Sequence, residues 1–108
     1  VHNGIAFLAK SVDLDAQSIK DLAFALGKDR DDLFLVLGSA KGDKAILSCY
    51  ISKKLVSEKA MDAVKVVREL GQHIQGGGGG QAFFATAGGK NPKGIPQALK
   101  VAIDLIPY

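Results

Sequence analysis

The sequence predicts an α+β fold, a small mixed β-sheet of three to five strands flanked by helices, with a glycine-rich loop after the second helix. Three observations carry this expectation. Apolar runs of strand length stand at residues 4–9, 33–37 and 45–52. Apolar residues at helical spacing fall between and after them, and Gly76-Gly77-Gly78-Gly79-Gly80 then breaks the pattern. The 108 residues suffice for one domain with a single modest core. Apolar residues at 47% and charged residues at 23% fit a folded soluble chain and exclude a disordered one. No stretch of about 18 consecutive apolar residues exists to cross a membrane as a helix.

Taken in order, Gly4-Ile5-Ala6-Phe7-Leu8-Ala9 reads as the first strand. Asp13 or Asp15 then caps a helix, since a short carboxylate satisfies free N–H groups of the first turn. Ala16, Ile19, Leu22, Ala23 and Leu26 form its apolar stripe, and Gly27 is placed to end it. Asp29, Asp31 and Asp32 make a solvated turn. Leu33 to Leu37 is continuously apolar, as in a strand buried on both faces. Lys41-Gly42-Asp43-Lys44 is a hairpin turn returning through Ala45 to Ser52.

Ser57 is placed to cap a second helix, with Ala60, Val64, Val67 and Gly71 on one stripe, widened by Met61, Ala63 and Leu70. Lys65 and Glu69 add a weak pair on its polar face. Ala82 to Ala87 is too short to assign. Pro92 and Pro96 bracket a turn, and Ile95 to Ile106 forms a terminal amphipathic helix. No internal repeat is visible.

Charge and glycine are unevenly distributed. Residues 1–43 hold five Lys/Arg against seven Asp/Glu, whereas residues 44–108 hold nine against four. Nine of the 13 glycines follow residue 70, so the second half is where function is expected. Cys49 stands alone, which excludes a disulfide framework and permits a reducing compartment. With only His2 and His73 beside it, no Cys/His zinc site can be assembled. The chain starts on Val1 without a charged and apolar leader, as expected of a piece of a longer cytoplasmic protein.

The glycine run has two readings. Consecutive glycines make a flexible linker, because ordering them costs the most backbone entropy. Alternatively, a backbone without Cβ atoms approaches a ligand closely, and turned N–H groups form an anion-binding nest. The run follows a strong helix and precedes Phe83 and Phe84, so it lies within the domain. It is neither a Walker loop nor a dinucleotide fingerprint, lacking both the Gly-Lys-Ser/Thr and the strand-to-helix setting.

The stretch Gln75 to Gly89 closely resembles the glycine motif near the C-terminus of alanyl-tRNA synthetases. That motif runs Gly-Gly-Lys-Gly-Gly-Gly-Arg-Pro-Asp-x-Ala-x-Ala-Gly-Gly, and the ending Ala85-Thr86-Ala87-Gly88-Gly89 makes the likeness specific. The resemblance covers nearly the whole chain and implies residues 1–108 as a single DHH-associated domain from the C-terminus of a longer protein. It implies a non-catalytic tRNA-binding module that contacts the outer corner of tRNA and supports aminoacylation and editing by other domains. An alanine-specific tRNA and the parent's other domains are the implied partners. The resemblance also implies that ATP and zinc belong to those other domains, that the parent is a cytoplasmic alanine–tRNA ligase, and that no membrane is involved. Dimerisation is implied through helices outside these residues.

Where the motif has Lys and Arg, this chain has Gly77 and Gln81, and Ala82-Phe83 replace Pro-Asp. The expected nucleic-acid-binding set is therefore Gly76, Gly77, Gly78, Gly79, Gly80, Gln81, Phe83, Gly88 and Gly89, with Lys90, Lys93, Lys53 and Lys54 supplying charge. Binding through so few cations should be weak and salt-sensitive.

Blander readings stand beside these. Lys53 and Lys54, with Lys59 and Lys65, are equally a solvated surface. Phe83 and Phe84 either stack on bases or fill the core. His73 is accounted for by a helix C-terminus, and Cys49 by burial. Other functional classes are the substrate-binding lobe of a DHH phosphoesterase, the C-terminal domain of a freestanding alanyl-tRNA editing protein, and a purely interacting module. The phosphoesterase motif carries a His that Gln81 and its neighbours lack.

Overall fold

The computed structural model describes residues 5–105, apart from the side chains of Ala16, Lys41, Ile103 and Leu105. His2, the Gly4 start of the first strand and the Ile106 end of the last helix lie outside the described residues. The chain runs β1 (Ala6–Ser11), α1 (Ala16–Gly27), β2 (Leu33–Lys41), β3 (Lys44–Ile51), α2 (Lys53–Lys59), α3 (Ala63–Gly71), β4 (Gly76–Gln81), β5 (Phe84–Gly89) and α4 (Ile95–Val101). Short 3₁₀ turns occupy Gln72–Ile74, Pro92–Gly94 and Ala102–Leu105.

The five strands form one mixed sheet in the order β1-β2-β3-β5-β4. β1 is parallel to β2, joined through α1, and every other pair is antiparallel. The predicted α+β class holds, with the upper number of strands. β2 is buried on both faces, as its unbroken apolar run requires. Leu33, Leu35 and Leu37 pack with Tyr50 against Ile19 and Ala23 of α1. Phe34 and Val36 turn the other way, joining Leu47, Cys49 and Ile51 beneath α2, α3 and α4. One face therefore carries three helices, and among the described residues α1 is the one helix on the other.

Local chemistry explains most boundaries. Asp15 caps α1 by accepting the Ser18 N–H at 2.8 Å. Gly42 takes φ +61° in the two-residue turn between β2 and β3, where an L-residue is strained. Gly27 does not end α1 by a left-handed turn. It is the last helical residue, and the Tyr50 ring occupies the space a Cβ would need. The stripe expected for α1 shifts accordingly: Ile19 and Ala23 are buried, while Leu26 is 42% exposed.

Three further expectations fail. The long second helix is two helices, broken where Ala60 adopts a left-handed φ of 55°. Ser57 is inside α2, its hydroxyl donating to the Lys54 carbonyl, and Asp62 caps α3 by accepting the Val64 N–H at 2.9 Å. The terminal helix keeps α form only to Val101 before tightening into the 3₁₀ turn. Most consequentially, the five glycines are neither loop nor linker. They form β4, an edge strand paired with β5.

A strand of glycines has little propensity of its own, because glycine loses the most entropy on ordering. Its neighbours hold it. Gln75 enters β4 from a left-handed conformation, and the Asn91 N–H donates to the Ile74 carbonyl at 2.9 Å. At the other end Ala82 and Phe83 form the hairpin turn. The Ala82 carbonyl accepts the Ala63 N–H at the start of α3, and the Phe83 carbonyl accepts the Ile51 N–H at the end of β3, both at 2.9 Å.

Candidate nucleic-acid interface

The extended backbone of β4 corrects the nest expected of Gly76 to Gly80. Successive N–H groups of a strand point to opposite sides, so they cannot converge on one anion. The glycines divide instead by parity. A Cβ on Gly76 or Gly78 would strike the Gly88 or Thr86 carbonyl of β5, and one on Gly80 (φ +150°) would come within 2.6 Å of the Phe84 carbonyl. A Cβ on Gly77 or Gly79 would meet nothing within 4 Å, and the same holds for Gly88. Gly77 lies opposite Gly88, and Gly79 opposite Thr86. The fold requires glycine at the even positions and leaves the odd ones bare.

The bare positions lie on the face that carries α1, which spans β2 and β3 but leaves β5 and β4 largely open. Thr86 belongs to this face, its hydroxyl 3.2 Å from that of Ser48. Toward the hairpin turn the face becomes aromatic. Phe24 of α1 meets Phe84 at 5.4 Å, Tyr50 at 5.3 Å and Phe83 at 6.3 Å between ring centroids. Lys53 Nζ stands 5.4 Å from the centre of the Phe83 ring, a cation–π contact.

Two clefts share Phe24 and Phe83 as a common wall. One, of about 300 Å³, is lined by Gly79, Gly80, Gln81, Phe84 and Thr86, with Lys20 at its rim. The other, of about 380 Å³, is bordered by Lys28, Arg30, Lys53, Lys54 and Asp31. Lys54 Nζ lies 3.6 Å from the Asp31 carboxylate, both groups largely exposed, so this pair adds little stability and leaves the lysine available. Arg30 is more committed, at 3.1 Å from Asp32.

The expected site residues fall into two groups. Gly79, Gly80, Gln81, Phe83, Lys53 and Lys54 surround the turn end of the hairpin. Gly76, Gly89, Lys90 and Lys93 lie at its opposite end, where Gly94 packs on the His73 carbonyl. The six residues of β5 separate the ends by roughly 20 Å. Gly77 and Gly88 lie between, and Gly78 is committed to packing. Lys59 and Lys65 do not join the patch. They line a separate cleft between α2 and α3, with Asp62 and Glu69.

Phe24 and Lys20 were not anticipated. Their four-residue spacing puts them on one side of α1, flanking the buried Ile19 and Ala23, and Phe24 packs against that same cluster. An aromatic residue off the apolar stripe was the available signal. Among the described residues no group of three or more His, Cys, Asp or Glu is placed to hold a metal ion, and no helix is long and apolar enough to cross a membrane.

A five-stranded mixed sheet with a glycine hairpin at one edge defines a class of domain, and the profile of the DHHA1 domain matches residues 4–107. The chain belongs to the DHHA1 domain family. It is 62% identical over 104 residues to an alanine–tRNA ligase of Christiangramia forsetii, and 48% identical over 104 residues to that of Flavobacterium psychrophilum. Each match covers 96% of this chain and 12% of the relative, so the chain spans about an eighth of those proteins' length. The crystal structure of the C-Ala domain of Aquifex aeolicus alanyl-tRNA synthetase superposes with a TM-score of 0.80 at 29% identity, covering 94% of this chain and 88% of that one. The resemblance read from the glycine motif is thereby borne out.

Proposed function

We propose that the open face of β4 and β5 binds RNA, and that the chain is the tRNA-binding, non-catalytic C-terminal module of an alanine–tRNA ligase. One observation carries the reading. Gly77, Gly79 and Gly88 are glycines on one sheet face with no steric need to be glycine. Side chains there would favour the strands, so their absence suits close approach of another backbone. Lysines at both ends of the hairpin supply the sequence-independent attraction to phosphate, and the aromatic end supplies contact with bases. The names of the relatives, alanine–tRNA ligases, supply tRNA as the partner.

In this role the domain holds the outer corner of an alanine-specific tRNA. Other parts of the cytoplasmic parent, with their ATP and zinc, carry out aminoacylation and editing. A weak contact suffices, because tethering raises the effective concentration of tRNA at distant sites. Titrating the protein at low salt with alanine tRNA and with duplex DNA of equal charge tests the proposal. The tRNA should bind about tenfold more tightly, and equal affinities would remove the reading.

A further inference from the structure

We infer that the aromatic end of the hairpin takes a single unstacked nucleobase, with the adjoining phosphate held in the neighbouring basic cleft. This rests on the RNA-binding reading and specifies how the RNA is gripped. The two clefts differ in chemistry across one shared wall, as the two halves of a nucleotide do. On one side, Gly79 offers a floor with no side chain above it, and Phe84 and Phe83 offer half-buried rings. A cleft of about 300 Å³ is at the small end for ligand sites and suits one flat heterocycle rather than two stacked ones.

Polar groups stand where a base edge would need them. The exposed Gln81 is on the cleft wall, and its amide both donates and accepts. The Thr86 hydroxyl is also present, paired with Ser48. Across the wall, Lys28, Lys53 and Lys54 face the single carboxylate of Asp31 among the residues bordering that cleft, so the balance favours a phosphate. Lys53 lies over Phe83, which brings its ammonium to the junction of the two clefts. A paired helix end would present a face two bases wide, with its Watson–Crick edges already engaged. Ring walls around a single-base cleft instead fit a nucleotide turned out of its stack.

Amide NMR titration of the protein with nucleoside monophosphates, and separately with ribose 5-phosphate, tests the inference. Nucleotides should shift the amides of Gly79, Gly80 and Phe84 as well as those of Lys53 and Lys54, whereas ribose 5-phosphate should shift only the latter pair. Identical patterns from both ligands, or no shift from either, would overturn the base cleft. Gly79→Val fills the floor at a position where a side chain meets nothing, and Phe83→Leu keeps apolar bulk without a ring. Each should weaken nucleotide binding about tenfold or more. Gly79→Val should leave ribose 5-phosphate binding unchanged, whereas Phe83→Leu, which also removes the ring beneath Lys53, should weaken ribose 5-phosphate binding by less than it weakens that of nucleotides. Thermal melts of both variants establish that they fold, and Gln81→Ala gives a third readout from an exposed position. If tRNA binds the wild type, Phe83→Leu and Gln81→Ala equally while Gly77→Val weakens it, the base cleft is wrong and the RNA-binding face stands. If tRNA does not bind but mononucleotides still shift the glycine amides, the cleft stands and the tRNA assignment falls.

Discussion

Gly77 of β4 and Gly88 of β5 face each other across the hairpin, and a Cβ on either would find no heavy atom within 4 Å. Gly78, one residue along, has the Thr86 carbonyl where its Cβ would be. Adjacent residues of one run are thus glycine for different reasons, one set by packing and the other free of it.

Substitution separates them. Gly77→Val should leave the protein as stable as the wild type or up to about 1 kcal/mol more so, since valine suits a strand. Gly78→Val should cost about 3 kcal/mol through overpacking against β5. Urea melts give both values, and tRNA titration should show the Gly77 variant weakened despite its stability.

The lysines at the two ends of the hairpin give a second prediction. Removing Lys53 and Lys54 together should lower the slope of log affinity against log salt for tRNA by up to about two, at about one per phosphate-contacting lysine. Lys90 and Lys93, roughly 20 Å away along β5, should produce an independent decrease that adds to the first. A quadruple variant with the same slope as the wild type would show that none of the four meets phosphate.

Ala60 occupies a left-handed conformation at the break between α2 and α3. Ala60→Gly should stabilise the protein by about 1 kcal/mol, because glycine adopts this conformation without the Cβ clash. In a domain of this size that raises Tm by about 5 °C, measurable by calorimetry.

Cys49 is fully buried in β3, and burial, followed by the Asp62 carboxylate, holds its thiol pKa well above the ordinary value. The unfolded thiol ionises near pH 8.5 while the folded one stays protonated, so above that pH unfolding releases a proton. Its contribution is present in full below the unfolded pKa and declines as pH rises, by about 1.4 kcal/mol per unit. Between pH 9 and 10 the wild type should lose stability more steeply than Cys49→Ala. Thiol reagents at pH 7.5 should label the native protein only as fast as it unfolds.

Much of the fold was legible in the chain. The double-sided burial of Leu33 to Leu37, the Asp15 cap and the Gly42 turn all follow from local chemistry that tertiary contacts do not override. The broken helix was not legible, because residues 57–71 keep helical periodicity across Ala60 and nothing local marks a left-handed alanine. The glycine strand was concealed for the opposite reason. Its local preference is for disorder, and only α3, β5 and the two turn hydrogen bonds make it extended. Of the candidate interface, the glycines and Phe83 were visible as a motif. Phe24 and Lys20 come from an element more than 50 residues away, and only the sheet order brings them to the hairpin.

β4 contributes no side chain until Gln81, so hydrophobic in-and-out alternation cannot set its alignment with β5. The ends do so instead, through left-handed Gln75 at one and the Ala63 and Ile51 hydrogen bonds to Ala82 and Phe83 at the other. The glycine run therefore works as a ruler. What it specifies is a length, and removing or adding one glycine would pull Phe83 out of step with the helix and strand that hold it.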